Sequence, residues 1–592
     1  MRGALNQRGV LVLAAACAAL LTFPGIQVAK AQIVANARGI YVYSEHPENT
    51  AGAAQLQQSI QTAGVSGLTL LVGWDNVENG LRTDGTGRYA WDPDSQSAGF
   101  TNTLDEFLGE AIAAGKKVDL AIRAGQDTPC WLFQPSSGCS SPAFAGATPL
   151  TFVVSAVQGA GNCNLQTIAA PWDDVFLREW EQMLAAVAAH LQTEYFQEAS
   201  SGRMVRAWDA ISSVRLTGVN RSTAETRLPA EILPGCTDPS VAPYANAVAI
   251  WLAAGYRPSL LLSAWDSITD DFQRYFPGKV ITMPIIPDAS GDPANPDYPF
   301  PQIDQNGCVY VPPVNPANSS VSPGIPAGTC TDPNFPDDNA PLLQLASRKF
   351  PGNLIVAYQS LINGEAAEPY VAVTAPEQWH VMTGFQTNDF VGPFQRAACS
   401  GGTKTGTVCA TSDDYLALLE IGIFPTCPIY SPNRIPPDEP CRTHPRSQYI
   451  EVLPPDVAGS TDASDAGPGY PDAIRQANAE LVDYTPPAVT AHLTAITPWP
   501  PTGSPEQVTI AGKITDDLSG LAPGTAEFTV RDVFGAVQLE GPITVNADGS
   551  YSFVFSTTAH SGLIPGFGLY VTVRARDYAG NTGAAITLVP VW

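Results

Sequence analysis

From residue 39 onward the chain alternates short apolar runs with longer segments whose apolar residues recur every three or four positions. The runs are GIYVYS at 39, LTLLVGW at 68, KVDLAIRAG at 117, SVRLTGVN at 213, KVITMPII at 279, LIVAYQSL at 354, VMTGFQTN at 381 and YIEVLP at 449. Near-continuous apolar runs of this length are what strands buried on both faces require. Between them Leu104, Phe107, Leu108, Ala111 and Ile112 share one helical face, as do Phe176, Trp180, Leu184, Val187 and Leu191, and then Leu261, Leu262, Trp265, Ile268 and Phe272. Eight strands alternating with helices predict an α/β fold, a (β/α)8 barrel with long loop insertions. An open doubly wound sheet shares much of this pattern, but no Gly-rich phosphate turn follows the first strand and the repeat count reaches eight.

The texture changes at Thr485-Pro486-Pro487, after the helical PDAIRQANAELVDY. QVTIAGKITDD, AEFTVRDV, GSYSFVFST and LYVTVRARDYAGN alternate apolar and polar residues between Gly, Asp and Pro turns, the pattern of an antiparallel sandwich. Residues 32–484 are therefore read as the barrel and 485–592 as a small all-β domain. With DDLSG and RDYAGN as matching turns, this tail resembles the immunoglobulin-like modules of exported bacterial proteins, which act as spacers or binding modules. Asp516, Asp517 and Asp577 are read as turn formers, with a calcium site as the alternative.

Arg2 and Arg8 precede an apolar run from Val10 to Leu21, and a polar stretch ends at Ala29-Lys30-Ala31. The run is too short to span a bilayer, so residues 1–31 read as a cleavable secretory signal; lipidation of Cys17 is the alternative. The expected destination is extracellular, periplasmic or cell-surface. Beyond Cys17 ten cysteines remain, and neighbours in sequence pair as Cys130 with Cys139, Cys163 with Cys236, Cys308 with Cys330, Cys399 with Cys409, and Cys427 with Cys441. An even set in an exported chain reads as disulfides, although sequence leaves the connectivity open. No C-x-x-C pair and no H-E-x-x-H occurs, so no metal and no cofactor is expected. The net charge of -26, from 56 acidic and 30 basic residues, argues against nucleic acid or an anionic membrane surface as partner.

Barrel chemistry belongs at the C-terminal ends of the strands. The first strand delivers Glu45 and His46 there, the second Trp74, Asp75 and Glu78, and the third Arg123, Gln126 and Asp127. The fourth delivers Asn220 and Glu225, the sixth Tyr358 and Gln359, the seventh Gln386, Asn388 and Asp389, and the eighth Glu451 and Asp456. Acids, amides and aromatics suit a neutral, hydroxyl-rich ligand such as a carbohydrate. Hydrolysis of a glycoside needs two carboxyl groups flanking the bond, and Glu225 and Glu451 are the candidate pair, acid and nucleophile of a retaining reaction. The structural alternatives are a helix-start capping box for Glu225, with Ser222 as cap, and a buried ion pair inside the barrel for Glu451. Trp74 and Trp131 are the expected sugar platforms, and Glu78, Arg123, Asn220 and Gln386 the remaining substrate contacts.

LTLLVGWDNVENG, then RYAWDPD, a helix, GKKVDLAIRAGQDTPCWL and a strand ending in Asn220 resemble the clan A (β/α)8 glycoside hydrolases, especially β-galactosidase-like and cellulase-like members, over roughly residues 39 to 484. Trp74, Glu78, Trp91 and Trp131 occupy matching positions. The resemblance implies an acid/base Glu directly after the Asn that ends strand four, and a nucleophile Glu on strand seven. Here Arg221 to Ala224 separate Asn220 from Glu225, and strand seven offers Gln386. Those departures motivate a second reading, a carbohydrate-binding or cell-surface protein that kept the barrel without the chemistry; a third is a structural exoprotein. The sugar, the linkage, endo or exo action and the oligomeric state are not written in the sequence. No G-x-S-x-G elbow, P-loop or dinucleotide fingerprint occurs.

Overall fold

A computed structural model describes residues 37–43, 50–81, 87–91, 104–135, 139, 141, 143–155, 163–220, 228–229, 236–285, 340–361, 379, 381–387, 390–391, 394–395, 411–424, 446–459, 469–497, 507–556 and 568–590. The chain divides into two compact units, Met1–Ile474 and Arg475–Trp592, so the division falls within a helix, Pro471–Val482, that precedes the change of texture at Thr485.

In the first unit all eight expected strands form: β1 (Gly39–Tyr43), β2 (Gly67–Gly73), β3 (Lys117–Arg123), β4 (Ile211–Arg215), β5 (Val280–Ile285), β6 (Leu354–Leu361), β7 (Met382–Thr387) and β8 (Tyr449–Val452). They close in chain order, every neighbouring pair is parallel, and β8 returns to pair with β1. This closed ring is a (β/α)8 barrel, and it excludes the open doubly wound alternative. The helices α1 (Leu104–Ala113), α2 (Asp174–Thr193) and α3 (Pro258–Tyr275) pack their apolar stripes inward, and Phe107, Trp180 and Ile268 are buried as the periodicity requires. Asp173 caps α2 by accepting from the amides of Val175 and Phe176 at 2.8 and 3.2 Å. Short hairpins unforeseen in the sequence decorate the barrel, including 78–81 with 87–89 and 149–155 with 163–169. Among the described residues no helix is long and apolar enough to cross a membrane.

The barrel interior is layered. Tyr41, Val280, Ile355, Ala357 and Tyr449 form an apolar floor, with the Tyr41 and Tyr449 rings 4.7 Å apart. Above it lies a polar layer of Thr69, Asp119, Arg215, Thr282 and Glu451, all fully buried. Tyr43, Leu71, Ala121 and Leu453 then form a second apolar cluster. Each of these four lies two positions further along its segment than Tyr41, Thr69, Asp119 and Glu451, so the cluster closes the polar layer on the C-terminal side.

Two of the five expected disulfides lie among the described residues, Cys130–Cys139 and Cys163–Cys236, with Cα separations of 5.8 and 5.7 Å. Cys308, Cys330, Cys399, Cys409, Cys427 and Cys441 lie outside the described residues, as does the expected signal at 1–31.

The second unit is a β-sandwich. One antiparallel sheet contains Ala488–Thr497, Gln507–Thr515 and Ser550–Ser556; the other contains Glu527–Arg531, Val537–Pro542, Leu569–Arg576 and Thr582–Val589. Val508, Ile510 and Phe555 from one sheet share a core with Val530, Val571 and Val573 from the other. Asp516 and Asp577 act as turn acceptors, as expected, Asp516 taking the Gly520 amide at 2.6 Å and Asp577 the Asn581 amide at 2.7 Å. Asp483, which sequence reasoning did not connect with them, brings a carboxylate oxygen within 4.8 Å of theirs.

The Cys163–Cys236 bridge spans 73 positions and so restricts the unfolded chain strongly. Replacing both cysteines by Ser should lower stability by about 4 kcal/mol in the chain-entropy estimate, read as a shift of the urea midpoint at constant slope.

Candidate active site at the barrel mouth

Glu451 does not reach the mouth. It lies on β8 in the polar layer with no exposed surface, and its carboxylate is paired with Arg215, which is equally buried. Thr69 Oγ1 donates to Glu451 Oε1 at 2.6 Å, and the Tyr449 hydroxyl lies 2.5 Å from the same oxygen. Arg215 also donates to Asp119 Oδ2 at 3.0 Å, and Thr282 donates to Asp119 Oδ1 at 2.9 Å. The Tyr43 ring sits 5.8 Å from the Arg215 guanidinium. This is the buried ion pair weighed above for Glu451, and Arg215 is its cation. With no exposed surface and its carboxylate committed to Arg215, Thr69 and Tyr449, Glu451 is not presented to a ligand. Gln386 pairs in register with Glu451 and is also buried.

The indoles are corrected in the same direction. Trp74 and Trp131 are 0% and 1% exposed, so neither presents a ring face to a ligand. Trp74 opens a short helical turn after β2, which sets Glu78 four positions on, and Trp74 Nε1 donates to Glu78 Oε2 at 2.9 Å. Trp131 Nε1 donates to the Glu78 carbonyl at 3.2 Å. Trp74 packs edge-on against Trp180 and Trp131, with ring centroids 5.3 and 6.2 Å away. Glu78 is therefore the polar centre of an aromatic cluster and touches no open space. Burial, with a further contribution from neighbouring Glu179, lifts its carboxyl to about 8 against the Trp74 hydrogen bond. Trp91 stacks on His190 with centroids 4.5 Å apart, and His190 Nε2 lies 2.7 Å from Asp105 Oδ1.

The groups that do meet at the mouth come from the ends of β2 and β3. Arg123 ends β3 and forms an ion pair with Asp127, four positions on in a 3-10 turn. Asp75 faces them from the turn after β2. A Cβ built on Gly73 would lie 2.7 Å from Asp75 Oδ1, 3.1 Å from Asn76 Nδ2 and 3.1 Å from Asp127 Cβ, so glycine is what lets these side chains converge. Asp75 is exposed to water, while the groups around it displace part of its hydration. That partial desolvation, followed by the charge of Asp127 and offset by Arg123, lifts its carboxyl to about 7. Asn220, after β4, ties the next loop to this end of the barrel by accepting from the Ala124 amide at 3.3 Å. It also lines a small hollow with Gly125, Thr128, Phe176 and Gly218. Glu225, Glu45, His46, Asn388 and Asp389 lie outside the described residues.

Asp75 and Asp127 stood among the expected rim residues without a role. The four-position spacings Trp74/Glu78 and Arg123/Asp127 are the signals that mark Glu78 as an internal anchor and Asp127 as a paired carboxylate. Nothing in the sequence joins Asp75 to Asp127 before β2 and β3 pair.

No protein-family profile matches the sequence, and comparison with curated proteins finds no match. Among solved structures, the chain is similar to an exo-β-1,4-mannosidase from Opitutaceae bacterium strain TAV5 at 12% identity and a TM-score of 0.33, covering 76% of this chain and 61% of that one. A β-galactosidase from the psychrophilic Marinomonas ef1 gives 11% identity, TM-score 0.32 and coverage of 75% and 59%. GH10 from Paenibacillus barcinonensis gives 8%, TM-score 0.31 and coverage of 75% and 96%. The chain thus spans less than two thirds of the first two proteins. The barrel is defined by the hydrogen bonding of its own eight strands.

Two outcomes follow from the buried groups. Arg215→Met should cost about 3–5 kcal/mol in urea unfolding, because Asp119 and Glu451 lose their shared cation. Glu78 binds its proton more tightly folded than unfolded, so its contribution erodes stability as pH rises from the ordinary carboxylate range through about 8. Glu78→Gln keeps an acceptor for Trp74 and cannot ionise. It should flatten that slope and be on the order of a few kcal/mol more stable than the parent at pH 9, measured by urea unfolding across pH.

Proposed function

We propose that this chain is an exported glycoside hydrolase that cleaves O-glycosidic bonds at the C-terminal mouth of its barrel. The observation that carries the reading is the cluster that Asp75, Asn76, Arg123 and Asp127 form at the ends of β2 and β3. It offers carboxyl, amide and guanidinium groups to a hydroxyl-rich ligand, in the part of a (β/α)8 barrel where chemistry is performed. The resemblance of residues 39 to 484 to clan A hydrolases supports the same class. Export rests on the signal-like residues 1–31, and the two formed disulfides favour an oxidising compartment. Residues 485–592 serve in this reading as an immunoglobulin-like spacer or binding module. Glu225 retains its place as a candidate proton donor on sequence grounds; Glu451 is withdrawn as nucleophile and assigned to the interior ion cluster.

A second reading, glycan binding without cleavage, is favoured by one specific observation: the strand-seven position expected to bear a nucleophile is Gln386, and the acid in register beside it is enclosed.

The deciding experiment incubates the full mature chain with a panel of plant, bacterial and animal polysaccharides, following new reducing ends and, in parallel, binding by ligand-observed NMR. Cleavage with turnover supports the hydrolase, saturable binding without it supports the second reading, and neither response removes both. Within an active preparation, Glu451→Gln should lower the unfolding midpoint while leaving the rate per folded molecule unchanged; a selective loss of kcat would return Glu451 to the chemistry.

A further inference from the structure

Resting on the reading that a glycan occupies the barrel mouth, we infer that Trp172 is the platform on which one of its sugar rings stacks, and that the glycan is a neutral one. Trp74 and Trp131 are internal, so an aromatic surface for a sugar has to come from elsewhere. The other described tryptophans separate by what covers them. Trp180, Trp251 and Trp265 are at most 1% exposed. Trp91 lies nearly parallel to both Tyr89 and His190, at 5.4 and 4.5 Å. Trp208 is parallel to Phe276 at 5.9 Å, with Lys279 Nζ 4.7 Å from its centroid. Trp208 and Trp379 also come just before β4 and β7, at the N-terminal end of the barrel and away from its mouth. Trp172 is half-buried and held differently: Trp251 and Tyr256 each meet it at 6.0 Å and 50°, so neither ring lies flat against it. Its Nε1 donates to no protein group among the described residues, whereas the indoles of Trp74, Trp131 and Trp251 all do.

Its place in the chain puts it at the mouth. Trp172 comes two residues before α2, the helix that follows β3, and its neighbour Pro171 lines the small hollow with Gly125 and Thr128 after β3 and Asn220 after β4. The hollow thus lies between the turn that carries Asp127 and the segment that carries Trp172. The indole is also set before any ligand arrives. The Asp173 amide donates to the Ala170 carbonyl at 2.9 Å, and Asp173 Oδ2 accepts from the Thr148 amide and hydroxyl at 3.0 and 2.7 Å, which fixes the backbone around Trp172. Behind the ring, Trp251 is itself anchored, donating to the Pro229 carbonyl at 2.7 Å with the Phe152 ring 5.0 Å away. A large side chain wedged in this way gives up little freedom on binding. A pyranose with equatorial hydroxyls presents a face of axial C–H groups that matches such a surface, and its hydroxyls then point sideways to the polar groups of the rim. The net charge of -26 repels uronate and sulfate groups, which leaves a neutral glycan as the ligand class.

The test uses the full mature chain with neutral glycans (β-glucan, mannan, xylan and galactan) and acidic ones (polygalacturonate and hyaluronan). Trp172→Leu keeps an apolar contact with Trp251 and Tyr256 but has no flat ring; Trp172→Phe keeps a ring. Trp172→Leu should weaken binding of the neutral glycan that the parent takes, or raise KM where it is cleaved, by about 10- to 50-fold, with kcat per folded molecule little changed. Trp172→Phe should recover most of that loss. Glycan binding should shift the indole emission of the parent, and at saturating glycan the shift should be largely absent from Trp172→Phe. Urea unfolding checks that each variant is folded, since a purely structural Trp172 would lower the midpoint and leave the Kd or KM of folded molecules unchanged. If folded Trp172→Leu binds the neutral glycan as the parent does, the inference is overturned and the glycan reading stands. A parent that prefers the acidic glycans overturns it as well. Should Trp172→Leu not fold, an emission shift that persists in Trp172→Phe overturns it. If the parent neither binds nor cleaves any glycan, the inference falls together with the reading on which it rests.

Discussion

The organisation of the barrel depends on one buried cation. Arg215 projects from β4 into the closed ring and holds two carboxylates, Asp119 from β3 and Glu451 from β8, with hydroxyls from Thr69, Thr282 and Tyr449 around them. Charges with no access to water are costly unless opposite charge and hydrogen bonds meet them, so these strands have to arrive in one register. A one-residue slip of β8 would turn Glu451 into the helix layer and leave Arg215 with a single acid. The cluster thus specifies how the ring closes, and by consuming Glu451 it removes from the chemistry an acid that the sequence makes conspicuous.

The same trade operates in the aromatic cluster beside the mouth. Trp74, Trp131 and Glu78 read as ligand contacts because large aromatics and an acid follow barrel strands. Their polar atoms are instead spent on one another, and Trp180 and Phe176 from α2 pack against Trp74. What this block supports is the neighbouring cluster of charged side chains. Asp75 lies next to Trp74 in the same short turn, so anchoring the indole fixes where the exposed carboxyl points. The site as described is small: two acids, one guanidinium and one amide on the ends of two adjacent strands, with Asn220 tying in the loop after β4.

Much of this was legible in the chain. All eight barrel strands, the buried faces of the helices and four of the seven sandwich strands follow from period and composition, because each is a local pattern that one kind of burial imposes. Two disulfides joined neighbours in sequence, as the simplest pairing anticipates. The rim residues were legible as a set, since the end of each strand is marked by the end of its apolar run. Their division into anchors and working groups was not. Whether an acid is neutralised inside or held out in water depends on which residue faces it from a strand a hundred or more positions away, as with Arg215 and Glu451.

The sequence by itself determined the alternation that makes a barrel, the change to a sandwich near residue 485, and the acid- and amide-rich ends of the strands, since these are properties of short windows. Only the tertiary structure decided that Glu451 closes an ion cluster, that Trp74 and Trp131 are internal, and that Asp75 and Asp127 come together beside Gly73. Exposure, partner and electrostatic setting are properties of a position in space, and they exist for a side chain only once distant strands have been brought together.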